Sequence, residues 1–114
     1  MQYMILIYQD GNRPHELPPA EQAARYAPWM VYTKALIDSG VMVGGSQLGP
    51  HSAATCVQMR DGKRHVQDGP YADTKEQLGG YYIIKADNLD IALDWAAKCP
   101  GALDGTIEVR PIVG

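Results

Sequence analysis

The sequence predicts an α+β sandwich in which an antiparallel sheet carries two helices on one face. Three observations lead to this fold class. Apolar or alternating segments of strand length recur along the chain, two longer segments have the periodicity of amphipathic helices, and a tight-turn dipeptide joins two short strand-like segments. Their order is strand, helix, strand, hairpin, strand, helix, strand. A chain of 114 residues provides one core, so we predict a single domain over residues 1–114.

The first strand is predicted over residues 3–8, because this apolar run is too short for a stable helix and rich in strand formers. Both alternating sets of its side chains are apolar, so both faces should be covered. The first helix is predicted over residues 20–39, with Gly40 as its stop, and Pro28 is expected to kink it rather than to start it. The expected buried stripe of this helix consists of Tyr26, Trp29, Met30, Thr33, Leu36 and Ile37.

The second strand is predicted over residues 41–48, where two consecutive glycines indicate a bulge or a close backbone contact. Residues 54–60 and 63–67 then predict a hairpin. The Asp-Gly dipeptide between them accepts the positive φ angles of a two-residue turn. The hairpin delivers the chain to Asp68.

The stretch over residues 68–84 combines a turn, a short helix and an apolar strand without spacers. Its Gly-Pro dipeptide forces an extended or turn conformation after Asp68. We then predict a short helix that is capped by Asp73 or Thr74, with Glu76 or Gln77 reaching back to the cap and two glycines at its end. An apolar strand follows over residues 81–85.

Asn88 is predicted to cap the second long helix, which ends at Pro100-Gly101. The spacing of its apolar residues predicts a buried face, and the members of this face are Leu89, Ala92, Leu93 and Ala96. Trp29 and Trp95, one on each helix, are expected in the core.

The last strand is predicted over residues 106–111, with Ile107 and Val109 on one face and Glu108 and Arg110 on the other. The complete element order fits a ferredoxin-like sandwich. Two helices cover only one face of its sheet, so the apolar side chains on the other face need a partner. A two-fold homodimer that packs sheet against sheet is the simplest assembly that buries them.

Composition and motifs exclude several classes of function. A net charge of -3 without clustered Lys and Arg argues against nucleic acid binding, and no apolar run approaches the roughly 18 residues of a membrane span. A signal-peptide pattern is missing, so we expect a cytoplasmic protein with Cys56 and Cys99 as buried free thiols. We expect no metal site, because His15, His51 and His65 lack ligand spacing, and no cofactor, because phosphate-binding loops are missing.

The chain resembles the DGPF branch of the YCII-related family of small bacterial proteins. The matching segments are residues 3–8, 44–45, 47–48, 50, 61–62, 68–82 and 108–111. The resemblance implies a ferredoxin-like fold that dimerises as an α/β barrel, and an association with extracytoplasmic-function sigma factors, but no known reaction. The other branch uses a His-Asp pair with the histidine on the first helix. The first helix predicted here has no histidine, and Tyr71 stands where the branch has Phe.

Asp68 is the strongest candidate catalytic residue. Its carboxylate stands at a strand end before a rigid Gly-Pro, where it either acts as a general base or only hydrogen-bonds its own turn. Glu76 either pairs with Asp68, anchors Arg110 or partners Asp73 in the cap. Glu108 and Arg110 should face the interior between protomers. There Arg110 either clamps a ligand carboxylate or pairs with a protein carboxylate.

We therefore predict a polar pocket bounded by Asp68, Glu76, Tyr81, Glu108 and Arg110. The first functional hypothesis is a cofactor-independent isomerase or lyase acting on a small organic acid, with Asp68 moving a proton and Arg110 holding the anion. The alternative is a non-catalytic ligand-binding or regulatory partner of a sigma factor, as the resemblance implies. A third interpretation is that the motif only specifies the turn and the dimer. The sequence does not decide whether the protein is an enzyme.

Overall fold

The computed structural model describes residues 1–11, 17–72 and 74–114. A four-stranded antiparallel sheet carries helices on one face, and a separate two-stranded hairpin extends from it. The strands are β1 (Gln2–Asp10), β2 (Met42–Gln47), β3 (Thr55–Arg60), β4 (Lys63–Asp68), β5 (Glu76–Lys85) and β6 (Thr106–Pro111). The helices are α1 (Pro19–Asp38), α2 (Leu89–Lys98) and the short α3 (Gly101–Asp104), and a 3₁₀ turn spans His51–Ala53.

The main sheet has the strand order β2-β5-β1-β6. Because β5 pairs antiparallel with both β1 and β2, the latter two strands run in the same direction and α1 is the crossover between them. The hairpin β3–β4 is an insertion between β2 and β5. The predicted α+β class, the antiparallel pairing and the order of the long elements are confirmed.

The core lies between the helices and one face of the sheet. Ile5, Leu36, Ile84 and Cys99 are almost completely buried there, and Trp29 and Trp95 pack against the same cluster. The short side chains of α2 that face the sheet allow this helix to approach closely, since Ala92 and Ala96 are buried. Burial of these apolar side chains is the main favourable term that holds helices to sheet.

The face of α1 that packs on the sheet differs from the predicted stripe. Leu36 is buried as expected, but Tyr26, Met30 and Ile37 are exposed. Tyr32, which the predicted stripe does not include, is buried. Its hydroxyl donates a hydrogen bond of 2.8 Å to the Trp95 backbone oxygen. A buried tyrosine needs such an acceptor, and the pattern of apolar residues alone does not reveal it.

Two further expectations concern the helices. The helix α1 starts at Pro19 and runs through Pro28, so Pro28 does not start it, and the kink stays a prediction. In α2, Asn88 caps the helix as predicted, with its Oδ1 accepting from the Ile91 backbone N–H at 3.0 Å. However, Leu89 and Leu93 are exposed rather than buried, because Ala92, Ala96 and the half-buried Trp95 form the side of this helix that packs on the core.

The short capped helix predicted after the turn at Asp68 is wrong. Glu76 is already the first residue of β5, and it pairs with Asp10 at the end of β1. The glycines expected to stop a helix lie within the strand. Gly79 is the extra residue at a register shift, and a Cβ on Gly80 would lie 3.0 Å from the Ser46 carbonyl oxygen. Asp73, one of the two residues proposed to cap this helix, lies outside the described residues.

The hairpin and the second strand follow the sequence closely. Asp61 and Gly62 have φ angles of 52° and 74°, as a two-residue hairpin turn requires. The second strand has a register shift between Met42 and Gly44, at the predicted bulge. Cys99 is buried, Cys56 is half-buried, and both are free thiols.

The face of the main sheet that points away from the helices is called here the open face. Because side chains alternate along each strand, the centre of the open face has half-buried apolar side chains, and the edge formed by β6 has polar ones. Its members are Met4, Leu6, Tyr8, Glu76, Leu78, Tyr81, Ile83, Thr106, Glu108 and Arg110. In the described part of the chain, no helix combines the length and the apolar character that crossing a membrane requires.

Candidate functional site

A cavity of about 690 Å³ lies between α1 and the sheet, and we call it the main cavity. Its apolar wall is formed by Ile7, Trp29 and Tyr82. The first half of α1 forms one side, the ends of β1 and β5 form the floor, and residues 45–51 form the rim. The volume lies within the range of about 300–1,000 Å³ that is usual for small-molecule sites.

Hydrogen bonds hold the walls of the main cavity in place. Tyr82 and Thr33 share a hydrogen bond of 2.7 Å that connects β5 to α1. The Gln47 side-chain amide donates to the Tyr26 hydroxyl at 3.2 Å and so connects the end of β2 to the same helix. Burial raises the pKa of Tyr82, although the hydrogen bond with Thr33 opposes the shift. The Tyr82 phenol is therefore neutral at physiological pH.

Gln77 separates the main cavity from a second recess. Its Nε2 donates to the Thr74 carbonyl oxygen at 3.1 Å. Its amide lies against Gly11, where an added Cβ would overlap it. The Gly11 backbone N–H in turn donates to the Lys75 carbonyl oxygen at 2.8 Å. Glycine at this position therefore allows the amide to lie flat against the backbone at the end of β1.

The second recess, called here the Asp68 recess, has a volume of about 490 Å³ and shares Gly11, His51 and Gln77 with the main cavity. Asp68 is the last residue of β4 and lines this recess with its neighbours Gln67, Gly69 and Pro70. His51 is half-buried in the 3₁₀ turn between the two volumes. The structure thus brings an imidazole and a carboxylate to one concave surface beside the main cavity.

Backbone contacts fix the turn that carries Asp68. Gly69 has a φ of +104°, which favours glycine. Its N–H donates to the Ala54 carbonyl oxygen at 2.7 Å, and its own carbonyl accepts from the Cys56 thiol at 3.3 Å. These bonds tie the end of the hairpin to its beginning. The described contacts of this turn are therefore made by the backbone and by Cys56, while the Asp68 side chain is exposed.

Three of the other predicted site residues lie on the open face. Glu76 accepts a hydrogen bond of 2.9 Å from the Thr106 hydroxyl, and Glu108 accepts one of 3.4 Å from the Tyr8 hydroxyl. Burial, followed by the charge of Glu108, raises the pKa of Tyr8. Arg110 follows two positions later on the same face of β6.

The predicted pocket is thus divided between two places. Glu76, Glu108 and Arg110 line neither the main cavity nor the Asp68 recess, whereas Asp68 lines the recess. Tyr81 contributes to both regions, because its side chain alternates onto the open face and the residue also lines the main cavity. The proposed capping role of Glu76 is excluded by its position in β5.

Sequence reasoning missed most residues of the main cavity. Those with polar or aromatic side chains include Gln9, Asp10, Arg25, Tyr26, Thr33, Ser46, Gln47, His51 and Gln77. His51 follows directly on a matching proline of the resemblance, which was a usable signal, but it was considered only as a metal ligand. Among the described residues, no three His, Cys, Asp or Glu side chains are grouped as a metal ion requires. His15 lies outside that part of the chain.

The strand order and the single helical layer define an α+β protein of the ferredoxin-like kind, with a cavity under its first helix. The chain matches the YCII-related domain over residues 1–114 and belongs to that family. It is 32% identical over 114 residues to an uncharacterised protein of Rhizobium meliloti (strain 1021), and the match covers 98% of this chain and 92% of the relative. The assignment to the DGPF branch stays a prediction.

The same fold is found in a solved enzyme structure. It is 5-chloro-2-hydroxyhydroquinone dehydrochlorinase from Burkholderia phenoliruptrix AC1100, in complex with 2,5-dihydroxybenzoquinone. The TM-score is 0.54 at 18% sequence identity, and the match covers 99% of this chain and 94% of the enzyme chain. At this identity the likeness shows a common fold.

Proposed function

We propose that the protein is a cofactor-independent isomerase or lyase that binds a small, planar organic acid or hydroxylated ring in the main cavity. The observation that carries the proposal is the cavity itself. Its volume of about 690 Å³ suits a small molecule, and its wall combines aromatic rings with polar groups on one rim. The residues that would carry the reaction lie in the adjoining Asp68 recess.

Recognition of a planar ligand follows from the side chains around it. Trp29 and Tyr82 offer flat apolar surfaces, on which an aromatic or conjugated ring packs favourably. Arg25 brings a guanidinium group to the same cavity, and guanidinium groups hydrogen-bond carboxylates and ionised hydroxyls in a fixed geometry. The dihydroxylated ring held by the dehydrochlorinase is of this chemical class, which supports the proposal.

Asp68 and His51 are the proposed proton-transfer groups. Carboxylates and imidazoles are common general acids and bases, and both residues line the Asp68 recess beside the main cavity. The reacting part of the ligand reaches past Gln77 from the main cavity into the Asp68 recess. There Asp68 removes a proton from carbon or oxygen of the ligand, and His51, which lines both volumes, returns one at a second atom. An isomerase needs these two transfers, and a lyase uses the second to protonate the leaving group.

Exchange of ligand protons with solvent tests this function without knowledge of the product. Small hydroxy acids, oxo acids, hydroxybenzoates and hydroxyquinones are incubated with the protein in D₂O, and loss of C–H signals is followed by proton NMR. Asp68→Asn and His51→Gln should each slow exchange by about a hundredfold or more, the range of acid-base catalysis. Asp90→Asn, which removes an exposed carboxylate on α2, is the control. Exchange that survives both substitutions would contradict the proposal.

We also propose that the open face packs against that of a second copy, which gives a two-fold dimer with a closed α/β barrel. Apolar side chains of Met4, Leu6 and Ile83 on this face support the proposal. In such a barrel the Glu76 and Glu108 carboxylates and the Arg110 guanidinium lie between the sheets. Charges buried there have to pair, so Arg110 serves the assembly by pairing with these carboxylates.

A further inference from the structure

The large apolar side chains of the hairpin β3–β4 all lie on one of its two faces. Opposite residues of an antiparallel pair point to the same face, and Val57 is opposite Val66. Alternation and pairing add Thr55, Met59, Arg64 and Asp68 to that face, which we call the arm face. Val57, Met59 and Val66 are 60%, 66% and 55% exposed. The other face consists of Cys56, Gln58, Arg60, Lys63, His65 and Gln67.

A lone hairpin with an apolar face is a marginal structure in water. Two strands need a third strand or a packed face for independent stability. In the described part of the chain, β3 and β4 pair with each other in a sheet of their own, and every residue of β4 is exposed. Three branched or long apolar side chains on one face, with a polar set behind them, are typical of a surface that another protein covers.

We propose that the arm face docks on a second copy of this chain, so that the hairpin extends the interface made by the open face. The inference rests on the dimer proposed above. The chain exposes 8025 Å², whereas a compact monomer of its mass exposes about 6,200 Å². A standard interface buries about 800 Å² of each partner, and a large permanent interface buries more. The excess of about 1,800 Å² is therefore in the range of one partner's share of a large permanent interface.

The shape of the chain supports the same conclusion. The radius of gyration is 16.2 Å, compared with about 13 Å for a compact domain of this length. The extents of 48, 42 and 19 Å describe a flat plate. The open face and the arm face both carry apolar side chains. Because the chain is flat, a second copy can cover both of these faces.

Docking of the arm completes the Asp68 recess. Asp68 belongs to the arm face, because it is two positions beyond Val66 on the same strand. In the proposed dimer, a second copy that covers Val57 and Val66 also lies against Asp68, which is one of the residues that line the recess. Exclusion of water at this point strengthens the electrostatic effect of the two groups. The proposed proton transfer then depends on association.

Neighbouring residues on opposite faces of β3 provide a matched test. Val57→Glu places a charge on the arm face, and Gln58→Glu places the same charge one residue away on the other face. Sedimentation equilibrium should show the dimer dissociation constant rising at least tenfold in the first variant and remaining within about twofold in the second. Equal dissociation constants in the two variants would overturn the inference.

Two further variants separate this inference from its premise. Val57→Thr keeps a strand-forming residue, so it should fold and still weaken the dimer several-fold. Leu6→Glu places a charge on the open face. If Leu6→Glu dissociates the dimer while Val57→Glu and Val57→Thr leave it intact, the sheet-to-sheet dimer stands and the arm does not dock. A wild-type protein that is monomeric at micromolar concentration overturns both the dimer and the arm.

Discussion

At the level of single residues, the main cavity depends on a few side chains whose positions are fixed by hydrogen bonds. Tyr82 is held by Thr33, and Gln77 is held by the Thr74 carbonyl. Both residues come from β5, which forms the floor of the cavity. Preorganised groups of this kind bind a ligand without a further ordering cost.

Replacement of Gly11 tests the position of Gln77. In Gly11→Ala the new methyl group overlaps the Gln77 side-chain amide, which is flexible and can swing away. We expect a loss of stability below about 1 kcal/mol but a clear loss of ligand affinity, because the wall between the two volumes opens. Thermal unfolding and calorimetric titration measure the two effects. Gly44→Ala, where no atom lies within 4 Å of the added Cβ, is the control. Unchanged affinity in Gly11→Ala would exclude Gln77 from the site.

Alkaline pH should destabilise the fold through Cys99. Burial raises the pKa of its thiol from 9.0 to about 11. The folded state therefore holds this proton more tightly than the unfolded chain. The stabilisation is complete below about pH 9 and is lost as the pH rises through about 11, with a loss of about 2–3 kcal/mol.

Urea unfolding from neutral to alkaline pH measures this dependence, at a fixed protein concentration because the proposed dimerisation makes stability depend on concentration. Cys99→Ala should be less stable at neutral pH and should have a flatter pH profile. Burial also raises the pKa of Tyr32 and of Tyr82, and both shifts act in the same direction at still higher pH. A steep profile that Cys99→Ala leaves unchanged would assign the effect to the tyrosines alone.

Among the individual elements, the turns and caps that depend on neighbouring residues were predicted correctly from the sequence. The Asp61-Gly62 turn and the Asn88 cap were recognised because turn and cap geometry depends on neighbouring residues. The segment after Asp68 was misread because its capping pattern and glycines also fit a helix end. Its actual partner, the end of β1, is distant in sequence, and no local signal reveals that pairing.

Removal of the Asn88 cap should weaken α2. The Asn88 side chain accepts the Ile91 N–H at 3.0 Å, and Asn88→Ala leaves this donor without its partner. We expect a loss of about 1 kcal/mol in the free energy of unfolding. Asn88→Asp retains the acceptor and should lose only a small part of this amount. Chemical unfolding of the three proteins checks the order, and equal stability of the Ala and Asp variants would contradict it.

For the whole molecule, the uncovered sheet face was predictable and the main cavity was not. Alternation along β1 already showed that both faces of that strand are apolar, which two helices on one side cannot cover. The cavity depends instead on the rotation of α1, and the sequence pattern assigned that rotation incorrectly by leaving out Tyr32. Residues that meet only in three dimensions, such as His51 and Gln77, were therefore not predicted to line one cavity.

The open face should be essential to assembly. Leu6 lies in the centre of this face, opposite Tyr81 and Glu108 on the adjacent strands. Leu6→Glu should shift the protein from dimer to monomer in sedimentation equilibrium, because an unpaired charge between the sheets costs several kcal/mol. Val31→Glu, on the exposed surface of α1, is the control and should leave the dimer intact. A dimer that tolerates Leu6→Glu would exclude the sheet-to-sheet arrangement.

The location of a bound ligand tests the central claim most directly. Backbone amide signals of ¹⁵N-labelled protein are followed while 2,5-dihydroxybenzoquinone is added. We predict that shifts concentrate on residues of the main cavity, represented by Gly45, Gln77 and Gly80. Signals of the open face, represented by Leu6, Ile83 and Arg110, should move much less. Shifts that concentrate on the open face, or no shifts with this compound and the hydroxybenzoates, would contradict a site beneath α1.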